Sequence, residues 1–128
     1  MFTVEHVAWQ AKDPSAVAAW YVEHLGFRIV RKNNDPAQTH FLADAAGRML
    51  VEIYNNPAAA VPEYAKQHPL VLHLAFKVDD PVATRDALVN AGATEVEDQT
   101  TPAGDRLIMM RDPFGFPIQL CKRRVPMF

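Results

Sequence analysis

An internal repeat restricts the fold of this chain more than any other sequence feature. The segment Val4–Pro14 (VEHVAWQAKDP) matches the segment Val71–Pro81 (VLHLAFKVDDP) after a shift of 67 positions. The shift places His6 on His73 and superposes one Asp-Pro pair on another. Because a duplicated segment is expected to fold the same way twice, the chain is predicted to contain two similar modules.

Each copy of the repeat reads as a strand that leads into a capped helix. In the first copy, Val4, His6 and Ala8 fall on one face of an apolar strand. Asp13 is a suitable N-cap, and Pro14 fits the first helical position, where its missing N–H costs no hydrogen bond. A glycine follows each predicted helix and is placed to end it.

The remaining patterns predict four strands and one helix in each half. In the first half the strands are 3–11, 27–32, 39–44 and 48–54, and the helix runs from Pro14 to Leu25. In the second half one strand contains His73, the others are 94–97, 106–111 and 117–122, and the helix runs from Pro81 towards Gly92. The order βαβββ therefore occurs twice, which predicts the α+β class. The predicted organisation is a single domain over 1–128. It consists of module 1 at about 1–54, a linker at 55–69 and module 2 at about 70–124. A short helical turn is predicted within the linker, near 63–66.

Glu52 and Gln119 extend the repeat to the last strand of each module. The same shift superposes Glu52 on Gln119, and each stands between two aliphatic residues. The spacing from His6 to Glu52 equals the spacing from His73 to Gln119, at 46 residues. If the first and last strands of a module are neighbours in a curved sheet, both polar side chains of that module face the same side.

These four residues have the chemistry of a metal site. Two imidazoles and one carboxylate suit a divalent Zn, Ni, Co, Mn or Fe(II) ion, and Gln119 is either a weak fourth ligand or a hydrogen-bond partner of a bound water. In the structural alternative, each histidine is a packed, hydrogen-bonded strand residue and Glu52 pairs with a nearby basic side chain. The repeat favours the metal site, because it puts all four residues at equivalent positions.

Composition and charge restrict the partners of the chain. The formal net charge of −2 gives no basis for nucleic-acid binding, and no apolar run approaches the roughly 20 residues that span a bilayer. The N-terminus lacks the basic and long apolar regions of a signal peptide, and the single cysteine, Cys121, excludes an internal disulfide. We therefore expect a cytoplasmic protein that binds neither nucleic acid nor membranes.

The combined motifs resemble those of the vicinal-oxygen-chelate superfamily, which includes glyoxalase I, extradiol dioxygenases, methylmalonyl-CoA epimerase, and fosfomycin and bleomycin resistance proteins. The resemblance covers nearly the whole chain, from His6 to Leu120. It rests on the two histidine segments and on two further motifs. Tyr21–Phe27 (YVEHLGF) is similar to the family's "FY…LGF" helix exit, and Asp112–Leu120 (DPFGFPIQL) looks like the family's "DPDGN.IEL" ending.

This resemblance implies paired βαβββ modules that form a curved sheet cup with a divalent metal inside, and it implies a homodimer. The metal positions of glyoxalase I-like members correspond to His6, Glu52, His73 and Gln119. The implied function is that of a glyoxalase-type lyase or isomerase, acting on a small-molecule substrate whose two adjacent oxygens chelate the metal. Glu52 is then the catalytic base.

Gln119 departs from the family pattern, because a glutamate usually stands at this position. An amide cannot act as a base, which argues against classical glyoxalase I chemistry and weakens the assignment to extradiol dioxygenases. A non-haem metal-dependent dioxygenase nevertheless stays open, because His6, His73 and Glu52 would leave positions on the metal for oxygen. A non-catalytic resistance protein that binds a drug or metabolite is the other alternative.

Several other polar residues have weaker patterns. For His40 a packing or surface role is favoured over a place in the cup, and His68 is expected to be solvated. Cys121 is interpreted as a buried, inert thiol. Tyr54, Lys77 and Arg106 are candidate substrate contacts.

Overall fold

The computed structural model describes residues 1–127, which form two compact units. The first unit comprises Met1–Pro62, and the second begins at Glu63. Each unit contains one four-stranded sheet and one α-helix in the order βαβββ. The predicted α+β class and the predicted pair of βαβββ modules are therefore confirmed.

The helices and strands of the two units correspond one to one. The first unit contains β1 (Val7–Gln10), α1 (Pro14–Leu25), β2 (Arg28–Lys32), β3 (His40–Ala43) and β4 (Leu50–Tyr54). A short 3-10 helix (Tyr64–Lys66) opens the second unit, followed by β5 (Leu74–Lys77), α2 (Pro81–Asn90), β6 (Thr94–Thr100), β7 (Arg106–Arg111) and β8 (Pro117–Lys122).

The two sheets share one topology and one register. Their strand orders are β1-β4-β3-β2 and β5-β8-β7-β6, and in each the first strand of the unit pairs in parallel with the last. Ala8 lies opposite Glu52, and Ala75 lies opposite Gln119. The expectation that the first and last strands of each module are neighbours is therefore confirmed.

A β-bulge is also repeated. The pairing of β2 with β3 shifts between Ile29 and Arg31, and the pairing of β6 with β7 shifts between Glu95 and Glu97. The extra residue shifts the alternation of side chains along the bulged strand by one position. As a result, Arg31 lies opposite Phe41 in one sheet and Glu97 lies opposite Met109 in the other.

The capping predictions for the helices are confirmed. The Asp13 carboxylate accepts the N–H of Ala16 at 3.1 Å, and the Asp80 carboxylate accepts the N–H of Ala83 at 3.0 Å. Gly26 ends α1 with φ = 73°, a left-handed conformation that glycine adopts without strain. No helix in the described part of the chain is long and apolar enough to cross a membrane.

Each helix covers one face of its own sheet, and the buried core lies between them. In the first unit this core includes Tyr21, Leu42, Val51 and Ile53; in the second it includes Leu88, Ile108, Met110, Ile118 and Leu120. Because side chains alternate along a strand, the residues between these core positions point away from the helix. We call this the helix-distal face; it carries Ala8, Arg31, Phe41 and Glu52 in the first unit and Ala75, Glu97, Met109 and Gln119 in the second.

The predicted boundaries of four strands are wrong. The first strand begins at Val7 rather than at residue 3, because its partner β4 pairs only with Val7–Gln10. His6 and His73 therefore lie immediately before their strands and not within them. β4 begins at Leu50 rather than at residue 48, and β6 continues to Thr100 because β7 pairs along its whole length.

Candidate metal centre

His6 and Glu52 are in direct contact in the first unit. The imidazole Nε2 of His6 lies 3.0 Å from the Oε2 atom of Glu52. Ala8 is opposite Glu52, so His6, two residues earlier, shares the helix-distal face with it. The His6 ring also packs edge-on against Phe41, with 5.9 Å between ring centroids. With side-chain exposures of 35% and 18%, His6 and Glu52 are accessible from solvent without being fully hydrated.

The second ring nitrogen of each repeated histidine faces an acceptor oxygen. Nδ1 of His6 lies 3.0 Å from a carboxylate oxygen of Glu5, and Nδ1 of His73 lies 3.1 Å from the carbonyl oxygen of Pro69. The Pro69 carbonyl oxygen only accepts, so Nδ1 of His73 is assigned the proton, which leaves the Nε2 lone pair of His73 for a ligand. Both ring nitrogens of His6 face carboxylate oxygens, Nδ1 that of Glu5 and Nε2 that of Glu52. Hydrogen bonds of this kind orient histidines that bind metals through Nε2.

The distance between His6 and Glu52 fits a shared ion. Nitrogen and oxygen ligands lie about 2.1 Å from a divalent ion, so two of them at a right angle are about 3 Å apart. The observed 3.0 Å separation matches this spacing. The residues present in the first unit therefore fit two adjacent positions of a metal site.

The second unit holds its two candidates at the equivalent positions. His73 immediately precedes β5, and Gln119 lies on β8 opposite Ala75. The amide oxygen of Gln119 accepts a hydrogen bond from the thiol of Cys121, at an S···O distance of 3.3 Å. Cys121 is buried as predicted, and burial raises the pKa of its thiol. The thiol therefore fixes the direction of the Gln119 amide rather than acting as an anionic ligand.

Within the described part of the two units, only the pair of predicted metal residues in the first unit is in contact. His6 and Glu52 touch, whereas no hydrogen bond joins His73 to Gln119 in the region that the structure describes. Among residues 1–127, no group of three or more His, Cys, Asp or Glu side chains is close enough to hold a metal ion. The complete four-residue centre stays a prediction.

Two weaker candidates are resolved by their position in the sheets. His40 is 2% exposed, lies opposite Ile53 on the face that α1 covers, and has Nδ1 2.6 Å from the Gln38 carbonyl oxygen. The packing interpretation of His40 is therefore confirmed. The guanidinium of Arg106 binds the Asp98 carboxylate on the helix side of β6 and β7, whereas Gln119 lies on the opposite face of its sheet.

Gln10 is an organising residue that the sequence analysis missed. Its amide nitrogen donates to the carbonyl oxygens of Asn56 and Ala59 at 2.7 and 2.5 Å, and its amide oxygen accepts the N–H of Asn56 at 2.7 Å. Gln10 therefore ties the segment after β4 to the end of β1. A polar residue in an otherwise apolar strand was the signal for it, two positions beyond Ala8.

The fold and the repeated histidine positions define a class of protein. Two βαβββ units, each with a histidine before its first strand and a Glu or Gln on its last, are the pattern of the vicinal-oxygen-chelate superfamily. The model of the glyoxalase-like domain family matches residues 6–121, and the chain belongs to this family.

Solved structures agree with this membership. SMU.1112c is 28% identical, with a TM-score of 0.75 over 95% of this chain and 99% of that protein. A glyoxalase family protein from Enterococcus faecalis is 29% identical, with a TM-score of 0.68 over 94% and 97% of the two chains. TnmS3, an antibiotic binding protein from Streptomyces sp. CB03234, is 22% identical with a TM-score of 0.71 over 96% and 99%, a likeness that shows the fold alone. No curated protein sequence matches this chain at a significant level.

Proposed function

We propose that this protein is a metal-dependent enzyme for a small oxygenated substrate, most like the glyoxalase-type lyases and isomerases. The observation that carries the proposal is the contact between His6 Nε2 and Glu52 Oε2, with His73 and Gln119 in the same register of the second sheet. In this proposal the four residues supply the donors of one divalent ion, either within a chain or across two chains.

Each group has a separate task in the proposed reaction. A divalent ion supplies Lewis acidity, which stabilises negative charge that develops on substrate oxygens. In the described part of the chain Glu52 contacts His6 through Oε2, and Oε1 makes no hydrogen bond. Oε1 is therefore the atom that we assign to proton removal from the carbon next to the substrate carbonyl.

Gln119 restricts how the proton moves. An amide neither takes up nor releases a proton at neutral pH, and the oxygen of this amide is already held by Cys121. Glu52 then has to remove the proton and also return it. This single-base scheme favours transfer between neighbouring atoms of one substrate over a relay between two carboxylates.

The decisive experiment combines metal analysis with substrate turnover. Wild-type protein is prepared with Zn, Ni, Co, Mn or Fe(II), and bound metal is measured by mass spectrometry beside turnover of compounds that carry two adjacent oxygens. Glu52→Gln is expected to lose turnover or metal, and His6→Ala and His73→Ala are expected to lose metal. His24→Ala is the matched control, because this histidine lies on α1 and should leave metal content unchanged. A Glu52→Gln variant with full metal and full turnover refutes the proposal.

A non-catalytic binding protein for a drug or metabolite is the second candidate. It is supported by the fold that the chain shares with TnmS3, an antibiotic binding protein. Protein that retains no stoichiometric metal after loading, yet binds small molecules, supports this candidate. Retention of Fe(II) together with oxygen uptake supports a dioxygenase instead.

We also propose that the chain forms a homodimer in the cytoplasm. β1 and β5 are edge strands of their sheets, and edge strands are common sites of pairing between chains. Val7 on β1 is 43% exposed, which leaves apolar surface at this edge. Light scattering after size exclusion tests the proposal, since a mass equal to the 14.3 kDa of one chain contradicts it.

A further inference from the structure

The second unit contains an open surface cavity of about 350 Å³, in which Leu70 and Val96 are 72% and 46% exposed. The cavity is lined by His68, Pro69, Leu70, Val96, Glu97 and Met109. Glu97 and Met109 face each other across β6 and β7, and Met109 lies opposite Gln119 on β8. The cavity is therefore on the helix-distal face, one strand away from Gln119. Its volume is at the lower end of the range for small-molecule sites.

Glu97 is the charged group of this cavity. In the described part of the chain its carboxylate makes no ion pair, whereas the neighbouring Glu95 and Asp98 both contact the guanidinium of Arg85 on the helix side of the sheet. Because Glu97 is exposed, its attraction for a cation is that of a surface charge pair. Glu97 is thus free to bind a ligand without breaking an existing salt bridge.

The other walls determine what kind of ligand fits. Pro69, Leu70, Val96 and Met109 are apolar, and methionine adapts its shape to different ligands. Nδ1 of His68 accepts the N–H of Leu70 at 3.2 Å, which orients the ring and leaves Nε2 as its second polar atom.

The repeat shows that this carboxylate is specific to the second unit. The position that matches Glu97 in the first unit is Arg31, which lies opposite Phe41 after the equivalent bulge. The two units therefore present opposite charges at one structural position. Only the second unit offers a carboxylate there.

We propose that this cavity binds a compact apolar molecule that carries a protonated amine. The ammonium group binds Glu97, and the apolar body packs against Leu70, Val96 and Met109. If the proposed function is correct, the cavity is a second attachment point for the substrate, beside Gln119. This part of the inference rests on the proposed function. The preference for an amine is a property of the cavity itself, which is testable without metal.

Three probes of similar size separate the charge preference from simple apolar binding. Benzylamine, benzyl alcohol and benzoate are titrated into metal-free protein at low salt, and binding is followed by amide chemical shifts in NMR spectra. Benzylamine is expected to bind between about 1.5- and 5-fold more tightly than benzyl alcohol, as for partly exposed charge pairs, and benzoate is expected to bind most weakly. The shifts are expected at Val96, Glu97 and Met109, and 0.5 M salt should reduce the preference.

Two variants make the test specific. Glu97→Gln is expected to bind benzylamine no better than benzyl alcohol, whereas Glu95→Gln removes the same charge from the opposite face of β6 and should keep the preference. Binding of benzoate as tight as that of benzylamine, or an unchanged preference in Glu97→Gln, overturns the inference. Metal analysis of the same wild-type protein is read separately: an amine preference without metal retention contradicts the metal-dependent enzyme and leaves the cavity assignment intact.

Discussion

Replacing Arg111 with Met is expected to destabilise the second unit by about 3 kcal/mol. The Arg111 guanidinium donates to three carbonyl oxygens: Tyr64 at 2.7 Å, Gln67 at 2.7 Å and Gly115 at 3.1 Å. These bonds fasten the 3-10 helix and the residues after it to β7 and to the turn before β8. The same segment continues into the wall of the cavity, so Arg111 positions that wall.

The magnitude follows from the two short bonds. A hydrogen bond that involves a charged group contributes about 1.5–3 kcal/mol to stability. We take the lower end for each 2.7 Å bond, because the bond to Gln67 is exposed to water, and we count nothing for the longer third bond. Arg111→Lys keeps the charge but not the planar fork, so it is expected to lose about half as much.

The assay is equilibrium unfolding in urea at 25 °C, with the denaturant dependence compared between variants. Arg85→Met is the matched control, because it removes an arginine that makes only exposed ion pairs and should cost less than Arg111→Met. Hydrogen exchange should also become faster at the amides of Lys66 and Gln67, which close the 3-10 helix. An Arg111→Met variant no less stable than Arg85→Met refutes the reasoning, since water would then satisfy the three carbonyls equally well.

Three further predictions concern the second unit. Gly115→Ala is expected to cost about 1–3 kcal/mol, because φ is +87° and an added Cβ would lie 3.0 Å from the backbone nitrogen of Ala65; urea unfolding measures this. Cys121 is expected to react slowly with an aromatic disulfide reagent in native protein and rapidly in urea, because the thiol is buried and its pKa is raised. The hydrogen bond from Arg106 holds the pKa of Asp98 below its usual 3.8, so this pair stabilises the fold above that pH and the contribution is lost as the pH falls through the lowered value. Arg106→Gln should therefore reduce the unfolding free energy at pH 7, and its difference from wild type should shrink at the acid end.

Each of these predictions has a control. Gly104→Ala also places alanine at a positive φ, +89°, but its near neighbour is the flexible side chain of Arg124, so it should cost less than Gly115→Ala. For Cys121, equal labelling rates with and without urea contradict the burial argument. For Arg106→Gln, the difference in unfolding free energy from wild type could instead stay constant down to pH 2. That result would show that the titration of Asp98 is not the source of the difference.

Local chemistry and strand alternation were enough to predict much of the fold. The shift of 67 residues predicted two equal modules, and Asp13 and Asp80 predicted the starts of both helices. Alternation also placed Glu52 on the same face as Ala8 once the two strands were taken as neighbours. These features depend on residues close in sequence or on one repeated pattern, so they can be predicted without knowledge of the tertiary structure.

Several predicted strand ends were wrong, and the surroundings of His40 and Arg106 could not be predicted in detail, because both depend on partners far away in the chain. His6 lies outside β1 because β4 offers no partner there, and His40 is buried because the register of β3 puts it opposite Ile53. No local sequence pattern shows that Arg106 forms an ion pair, because the pairing of β6 with β7 is what brings Asp98 next to it.

The sequence by itself determined the two βαβββ modules, their helix caps and the repeated histidine and Glu or Gln positions. Only the tertiary structure decided that His6 touches Glu52, that the Cys121 thiol holds the Gln119 amide, and that Glu97 faces a cavity without an ion-pair partner in the described residues. The physical reason is that repeats and caps are local properties of the chain, whereas hydrogen bonds and cavities arise from strand register and from the path of the segment before β5.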